Sequence, residues 1–317
     1  MNRRATIADV AAACGVSKGT VSRILNRSPG FSASADVRAR VEAAAGRLGY
    51  RPDSLARALF TKRTQIVAVL GLWPWTLDGS DYYPPLVRSA VDSVQAAGFH
   101  AAAHFPHPQL GRYPVEPFRA DGALLLAPCQ EQDLTAVEAA GLPYVSIDGL
   151  AGPHGHAVLV DDHAGSRLAA AHLRERGHRR VAWYGFPDFG HHSNADRRSA
   201  LAETLEVVDL PSTVDQALLG RALGADGATA LVCYRSAEAA RFLDAGWVPP
   251  GRAVLAFNDT PEAVRHALTV VSIPLHGLGA AAAAMLLGLM AGRSAPTPMR
   301  VAPSLVERAS TARKPTP

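Results

Sequence analysis

Apolar residues return every three or four positions along the first fifty residues. Ile7, Val10, Ala11 and Cys14 fall at i, i+3, i+4 and i+7, which predicts a helix. Thr6 and Asp9 form a capping-box pattern, with Asp shorter than the usual Glu, and Gly15 breaks the repeat. Ser17 is placed to cap a second helix, in which Val21, Ile24 and Leu25 share a face. Residues 26–34, with Pro29 and Gly30, read as a loop. Ser34 then starts a third helix, with Val37, Val41, Ala44, Ala45 and Leu48 on one stripe and Gly49 at its end. Pro52 opens a short fourth stretch with Leu55, Ala56 and Leu59 on one side. A helix that short is marginal alone in water and needs a partner surface; the plain alternative is a linker.

After Thr64 the period changes. Short apolar, β-branched runs at 66–72, 123–126, 144–147, 157–160, 181–184, 230–232 and 253–257 predict buried strands. Helical patterns at 85–97 and 165–176 lie between them, stopped by Gly98 and Gly177. Strands alternating with helices predict a doubly wound parallel α/β structure. About 250 residues of it make two subdomains with a cleft between them. The longest apolar run, 278–292, is Ala/Gly-rich. It falls short of the roughly 18–20 residues that cross a bilayer, and reads as a buried helix.

Composition sharpens the division. The chain has 317 residues, 48% of them hydrophobic, enough to bury a full core. Residues 1–63 carry twelve Lys+Arg and four Asp+Glu, a net +8; the whole chain is +4, leaving −4 for 64–317. A basic head on a mildly acidic body points to a polyanionic partner for the head alone; the alternative is a solvated basic face. The first ten residues lack the apolar core of a signal peptide, so a cytoplasmic protein is expected. Cys14, Cys129 and Cys233 are odd in number and far apart, as suits buried thiols of a reducing compartment.

Two short helices about a glycine turn suggest a helix-turn-helix, with an ordinary three-helix bundle as the alternative. Such a turn lets the first helix brace the second, whose exposed residues reach base edges in the major groove. The outward residues here are Lys18, Gly19, Ser22 and Arg23. An arginine at the position of Arg23 suits bidentate donation to guanine O6 and N7. Ser17 and Thr20 sit at the positive end of the helix, where phosphates are positioned. Thr6 and Asn26 complete the candidate DNA-binding set from this head.

The strings T-I-A-D-V-A-A-A-C-G-V-S-K-G-T-V-S-R-I-L-N (6–26) and V-R-A-R-V-E-A-A-A-G-R-L-G-Y-R-P-D-S-L-A-R-A-L (37–59) resemble the lactose/galactose-repressor (LacI/GalR) family of bacterial regulators. The resemblance implies a helix-turn-helix domain over 1–50, a hinge helix and linker over 51–63, and an effector-binding, dimerising domain over 64–317. It implies that Lys18 and Gly19 occupy base-reading positions and that Arg23 is the shared arginine of the recognition helix. It further implies that two hinge helices pair in the minor groove, Ala56 against the partner hinge and Leu59 wedged between base steps. Cys14 stands where the family has Ala, and Asp53 replaces a common Asn, which places a carboxylate near phosphates.

The string V-D-D-H-A-G-S-R-L-A-A-A-H-L-R-E-R-G-H-R-R-V-A-W-Y-G (160–185) is similar to the same family's effector domain, a periplasmic-binding-protein-like (type I) fold. The resemblance implies that Asp148 is the pocket carboxylate and Arg197 the pocket arginine. Other positions depart: Tyr234-Arg235 stand where the family has Asn-Asp, Asn258 replaces an Asp, and Ile273 a Gln. Arg197 with Arg235 therefore suggests an anionic effector, while a plain sugar with Arg235 in solvent is the equal alternative. Trp73, with Trp75, Tyr82 and Tyr83, follows the first strand, where open α/β sheets bind ligands; core or dimer contacts are the other reading. The family's segments are shortened at 104–119 and 205–229, and a lost pocket would leave a constitutive DNA binder.

No P-loop, G-x-G-x-x-G or G-x-S-x-G string occurs, and no nucleophile–base constellation is evident, so an enzyme is not expected. Although His191 and His192 adjoin, no His/Cys set at ligand spacing appears, so no metal is expected. A sugar receptor without a DNA role is disfavoured by the basic head. The expected protein is a homodimeric repressor of a palindromic double-stranded operator, controlled by a small-molecule effector, without other cofactors and away from membranes.

Overall fold

The computed structural model describes residues 5–26, 30–51, 58, 63–71, 81–104, 120–126, 131–149, 151–185 and 191–312. The chain divides into two compact units, Met1–Gln65 and Ile66–Pro317.

The first unit holds three helices: α1 (Ile7–Cys14), α2 (Lys18–Leu25) and α3 (Ala35–Leu48). Their boundaries follow from local chemistry. The Thr6 backbone N–H donates to Asp9 Oδ2 at 2.8 Å and the Asp9 N–H to Thr6 Oγ1 at 3.4 Å, so the shorter Asp does close the capping box. Ser17 Oγ accepts from Thr20 N at 3.0 Å and Ser34 Oγ from Val37 N at 3.3 Å. Gly15 and Gly49 end α1 and α3 at φ 64°, a conformation that glycine adopts without a Cβ clash. Val10, Ala11, Cys14, Val21, Ile24, Val41, Ala44 and Ala45 form the shared core. Each of the larger ones contributes about 1.5–3 kcal/mol by leaving water. Leu48, expected on the buried stripe, is 43% exposed at the end of α3.

The second unit contains two six-stranded sheets. The first uses β1 (Ile66–Leu70), β2 (His100–Ala103), β3 (Gly122–Leu126), β4 (Tyr144–Ile147), β5 (His156–Val160) and β11 (Met299–Val301), in the order β11-β5-β4-β3-β1-β2, all parallel. The second uses β6 (Arg180–Tyr184), β7 (Glu206–Asp209), β8 (Ala230–Cys233), β9 (Ala253–Phe257), β10 (Thr269–Ser272) and β12 (Ser304–Val306), in the order β12-β10-β9-β8-β6-β7. Only its β10–β12 pair is antiparallel. The near-continuous apolar runs of the central strands are the signature of parallel sheets covered on both faces.

Helices α4 (Tyr83–Ala96), α5 (Glu131–Ala139) and α11 (Leu275–Met290) belong to the first lobe. Helices α6 (Asp162–Glu175), α7 (His192–Ala202), α8 (Gln216–Ala222), α9 (Ser236–Asp244) and α10 (Pro261–Arg265) belong to the second. The 278–292 run lies in α11 as far as Met290, and α11 packs on α4 so closely that Gly279 faces the Leu86 carbonyl. The chain passes between lobes three times: after β5, after β10 and after β11. The trimmed segment 205–229 still supplies β7 and α8; most of 104–119 lies outside the described residues. Among the described residues no helix is long and apolar enough to cross a membrane.

Candidate functional sites

The first site is the outer face of α2. Val21 and Ile24 point into the head's core at 0% and 1% exposure, which leaves Lys18, Gly19 and Arg23 exposed on the opposite side with Ser22 half-buried beside them. The Arg23 guanidinium lies 5.3 Å from the Phe31 ring centroid, a cation–π contact that restrains its long side chain. Asn26 Nδ2 donates to Ser22 Oγ at 3.2 Å. Ser17 Oγ is already committed to its cap and lies 2.9 Å from Thr20 Oγ1, so these two hydroxyls hold the helix start as well as facing outward. Thr6 is exposed at the start of α1. The hinge residues Asp53, Ala56 and Leu59 lie outside the described residues.

The second site lies where the carboxyl ends of both sheets face each other. In each sheet the chain order reverses beside one strand, between β1 and β3 and between β6 and β8. Loops leaving the sheet in opposite directions there open a crevice. Asp148 directly follows β4 and Asn258 directly follows β9. Both adopt left-handed backbone, at φ 55° and 72°. Asp and Asn tolerate this conformation better than other side chains, yet it still carries strain, which is commonly stored at binding sites. Each is held by the neighbouring strand: Asp148 N–H donates to Val158 O at 2.8 Å and Asn258 N–H to Val271 O at 3.0 Å.

A chain of short hydrogen bonds crosses the cleft. The Tyr82 hydroxyl donates to Asp148 Oδ2 at 2.5 Å. The Asp148 carbonyl accepts from His191 Nε2 at 2.5 Å, and His191 Nδ1 lies 2.6 Å from Ser193 Oγ. Ser193 Oγ in turn lies 2.5 Å from the Tyr234 hydroxyl. Burial first, then the adjacent Asp148 carboxylate, pushes the Tyr82 phenol well above its ordinary value, so it remains a proton donor. Beneath this chain Arg197 Nε donates to Asp162 Oδ1 at 2.6 Å and Nη1 to Tyr234 O at 3.0 Å. Its guanidinium sits 4.4 Å and 4.3 Å from the Tyr234 and Phe257 ring centroids. Burial pushes the Asp162 carboxyl up while Arg197 opposes the shift. Among the described residues, Asp162 Oδ2, Asn258 Oδ1 and His192 Nε2 are buried without a hydrogen-bond partner.

The structure thus brings together Asp148, Arg197 and Tyr234, with Asn258 at the matching position of the other sheet. Arg235 directly precedes α9. It turns back on Glu238, three residues along α9, in an ion pair that includes an Nε–Oε1 bond of 3.0 Å. With Arg197 matched by Asp162 and Arg235 by Glu238, the two cations that suggested an anionic effector carry no surplus charge. Ile273, in the place of a pocket Gln, is buried in the first lobe's core. Trp73 and Trp75 lie outside the described residues. Asp162, His191 and Ser193 were not among the expected site residues. The pattern around Asp162 reads as a helix start, and its partner is 35 residues away.

Comparison with known proteins fits both sites. Residues 6–53 match the family described as bacterial regulatory proteins, lacI family, and residues 170–311 match the periplasmic binding protein-like domain. The chain is 30% identical over 344 residues to the HTH-type transcriptional regulator GalR of Escherichia coli (strain K12), covering 96% of this chain and 95% of that one. It is 34% identical over 195 residues to the HTH-type transcriptional regulator CelR of Thermobifida fusca, an alignment that spans 58% of this chain and only 56% of CelR. Among solved structures, the lac repressor dimer bound to operator and the anti-inducer ONPF superposes with a TM-score of 0.74 at 22% identity, over 98% of this chain and 99% of that one. A CelR–cellobiose complex superposes with a TM-score of 0.62 at 25% identity, over 97% and 100%.

Proposed function

Because the chain belongs to the lacI family of bacterial regulatory proteins, we propose that it is a repressor that grips a palindromic operator as a homodimer and answers to a small molecule held between the lobes of its second unit. The observation that carries the DNA reading is the exposed face of α2, where Lys18 and Arg23 stand opposite the buried Val21 and Ile24. In this reading Lys18, Ser22 and Arg23 meet base edges, Ser17, Thr20, Thr6 and Asn26 meet phosphates, and Gly19 allows close approach. A two-fold dimer presents two such helices to an inverted repeat. Leu59 wedges the central step and Ala56 packs against the partner hinge. The protein acts at DNA in the cytoplasm.

The effector is read as a neutral polyhydroxylated molecule of the carbohydrate class. Buried acceptor oxygens on Asp162 and Asn258 have no donor among the described residues, and hydroxyl groups supply donors. Effector binding shifts the closure of the lobes and so biases pairing of the hinge helices; by linkage the ligand must bind one state better than the other.

The test is selection of bound duplexes from a random pool by the full chain at moderate salt, without added ligand. A palindrome with a central pyrimidine–purine step is the expected result. An asymmetric consensus would overturn the dimeric reading, and no enrichment, even with metabolite extract added, would overturn the DNA-binding reading. Calorimetry with neutral and phosphorylated sugars then tests the effector class; tight binding of phosphorylated sugars alone would exclude the neutral polyol.

A further inference from the structure

Asp148 ends β4 on the first lobe, and His191 and His192 open α7 on the second. One carboxylate oxygen of Asp148 and one ring nitrogen from each histidine lie within 4.8 Å of one another. Two imidazoles and a carboxylate are a donor set that suits borderline divalent transition ions. Calcium and magnesium instead seek shells of oxygen. We infer that Asp148, His191 and His192 form a binding site for a divalent transition-metal ion of the zinc type, which would tie the two lobes across the cleft.

Asp148 and His191 already have the support that metal ligands need. Tyr82 donates to Asp148 Oδ2 at 2.5 Å and Val160 N–H to Oδ1 at 3.3 Å, which fixes the carboxylate plane and leaves a lone pair on each oxygen. His191 Nε2 lies 3.9 Å from Asp148 Oδ2. A tetrahedral shell with bonds of about 2.0–2.1 Å places ligand atoms about 3.3 Å apart, so the pair must close by roughly half an ångström. His191 Nε2 now carries its proton toward the Asp148 carbonyl. Coordination requires the other tautomer, and the surroundings accept it. The proton moves to Nδ1 and is donated to Ser193 Oγ, 2.6 Å away, while the Ser193 hydroxyl hydrogen turns to Tyr234 Oη at 2.5 Å. The exchange surrenders the Ser193 N–H contact to Nδ1, which is long at 3.3 Å, the bond to the Asp148 carbonyl, and the bond that the Tyr234 hydroxyl hydrogen made to Ser193 Oγ before turning away. Nε2 then offers its lone pair to the ion.

His192 supplies the independent observation. Its Nε2 is buried and has no hydrogen-bond partner among the described residues. A buried nitrogen in that state costs free energy that an ion on its lone pair would recover. Its ring stacks on His191 at 4.4 Å between centroids, so the two imidazoles present neighbouring edges. Arg197, the nearest guanidinium in this cluster, is matched by Asp162. Three protein ligands leave at least one coordination position open for water or for an oxygen of a cleft ligand. The site therefore stands whether or not the effector is a carbohydrate.

The experiment uses the full chain, stripped with chelator and dialysed, titrated with zinc chloride by calorimetry and with Co²⁺ followed in the visible. The expected result is one ion per chain. The cobalt spectrum should show low-symmetry ligand-field bands without thiolate charge transfer, since none of the three ligands is a cysteine. His191→Gln and His192→Gln should each abolish that stoichiometric site, and Ser193→Ala should weaken it by about tenfold as a supporting residue. His266→Gln, at an unrelated His266–Asp244 pair on the second lobe, should leave it intact. Zinc binding that is absent, or that persists in the His191→Gln/His192→Gln double variant, overturns the site. If those variants do not fold, X-ray absorption on the cobalt-loaded wild type decides. Two imidazoles with an oxygen shell support the assignment, and any sulfur ligand or an all-oxygen shell refutes it.

Discussion

Replacing Arg197 by methionine isolates the energetics of the cleft floor. Arg197 and Asp162 are 3% and 1% exposed, joined at 2.6 Å, and the guanidinium is wedged between the Tyr234 and Phe257 rings. Methionine keeps much of the packing volume but removes the counter-charge. Asp162 then has one oxygen that has just lost its donor and another that has none among the described residues. Stripping one partner from a buried ion pair costs about 3–5 kcal/mol, because the remaining charge is neither solvated nor matched. At roughly 2–4 °C per kcal/mol for a domain of this size, the melting transition of the second unit should fall by about 6–20 °C. Asp162→Leu added to Arg197→Met removes the stranded charge as well, and exchanging a buried pair for apolar groups is often close to neutral. The double variant should therefore melt above the Arg197→Met single. Scanning calorimetry on wild type, both singles and the double closes the cycle. A single variant within about 1 kcal/mol of wild type, or a double no better than the single, would show that the pair is solvated and that the buried-charge argument is wrong.

Arg23→Ala should weaken operator binding by about 1–3 kcal/mol per half-site and relax preference at one base position; fluorescence anisotropy against single-base operator variants measures both, and a uniform loss across sequences would reassign Arg23 to phosphate. Gly279→Ala should destabilise by about 1–3 kcal/mol, since a Cβ there overlaps the Leu86 carbonyl and comes within 3.0 Å of Ala90 N, forcing α4 from α11; an unchanged melt contradicts that close approach. His172 gives a pH signature. Its Nδ1 accepts from Arg176 at 3.0 Å and its Nε2 meets Thr311 Oγ1 at 2.7 Å, with Glu307 at 3.8 Å. Burial, then Arg176, holds this imidazole below its ordinary value despite Glu307 and Glu175. The unfolded chain thus binds the proton more readily. The stability contribution is complete above the ordinary histidine value of about 6.5 and is lost as pH falls through the lower folded value. Melting temperature should drop between about pH 7.5 and 5.5, and His172→Gln should flatten part of that slope; an unaltered slope sinks the assignment.

The legible parts of the fold were those in which local chemistry and burial agree. The three head helices begin at Thr6, Ser17 and Ser34, as their caps predict, and β4 and β9 span the residues their apolar runs mark. The strands not anticipated are short or marginal. β2 and β7 lie at sheet edges with exposed ends, β10 follows a turn, and β11 and β12 have three residues each. None carries enough apolar residues for a period to register. In the cleft, Asp148 directly follows β4 and Arg197 lies within α7, both buried. Glu238, three residues after Arg235 at the start of a helix, was the available signal that Arg235 had a local partner. The Asp148–His191 contact joins residues 43 apart in different lobes, and no spacing in the chain announces it.

The partnering of the cleft groups also determines what kind of ligand gains by entering. Tyr82, Asp148, His191, Ser193 and Tyr234 already satisfy one another, so a ligand that displaces those bonds exchanges one set for another and gains little from them. The gain comes from atoms that lack partners among the described residues, and of these Asp162 Oδ2 and Asn258 Oδ1 are acceptor oxygens. A hydroxyl meets such an atom with a donor. A phosphate or carboxylate meets it with another acceptor and adds like charge beside Asp148 and Asp162, in a site where both nearby guanidiniums are already engaged by carboxylates. On the proposed reading, selectivity for neutral over phosphorylated sugars rests on the two orphan oxygens, not on the total charge of the cleft. It should narrow when Asn258 is replaced by leucine, because the acceptor that a phosphate cannot satisfy is then gone, and calorimetry of the variant with both sugar classes checks it.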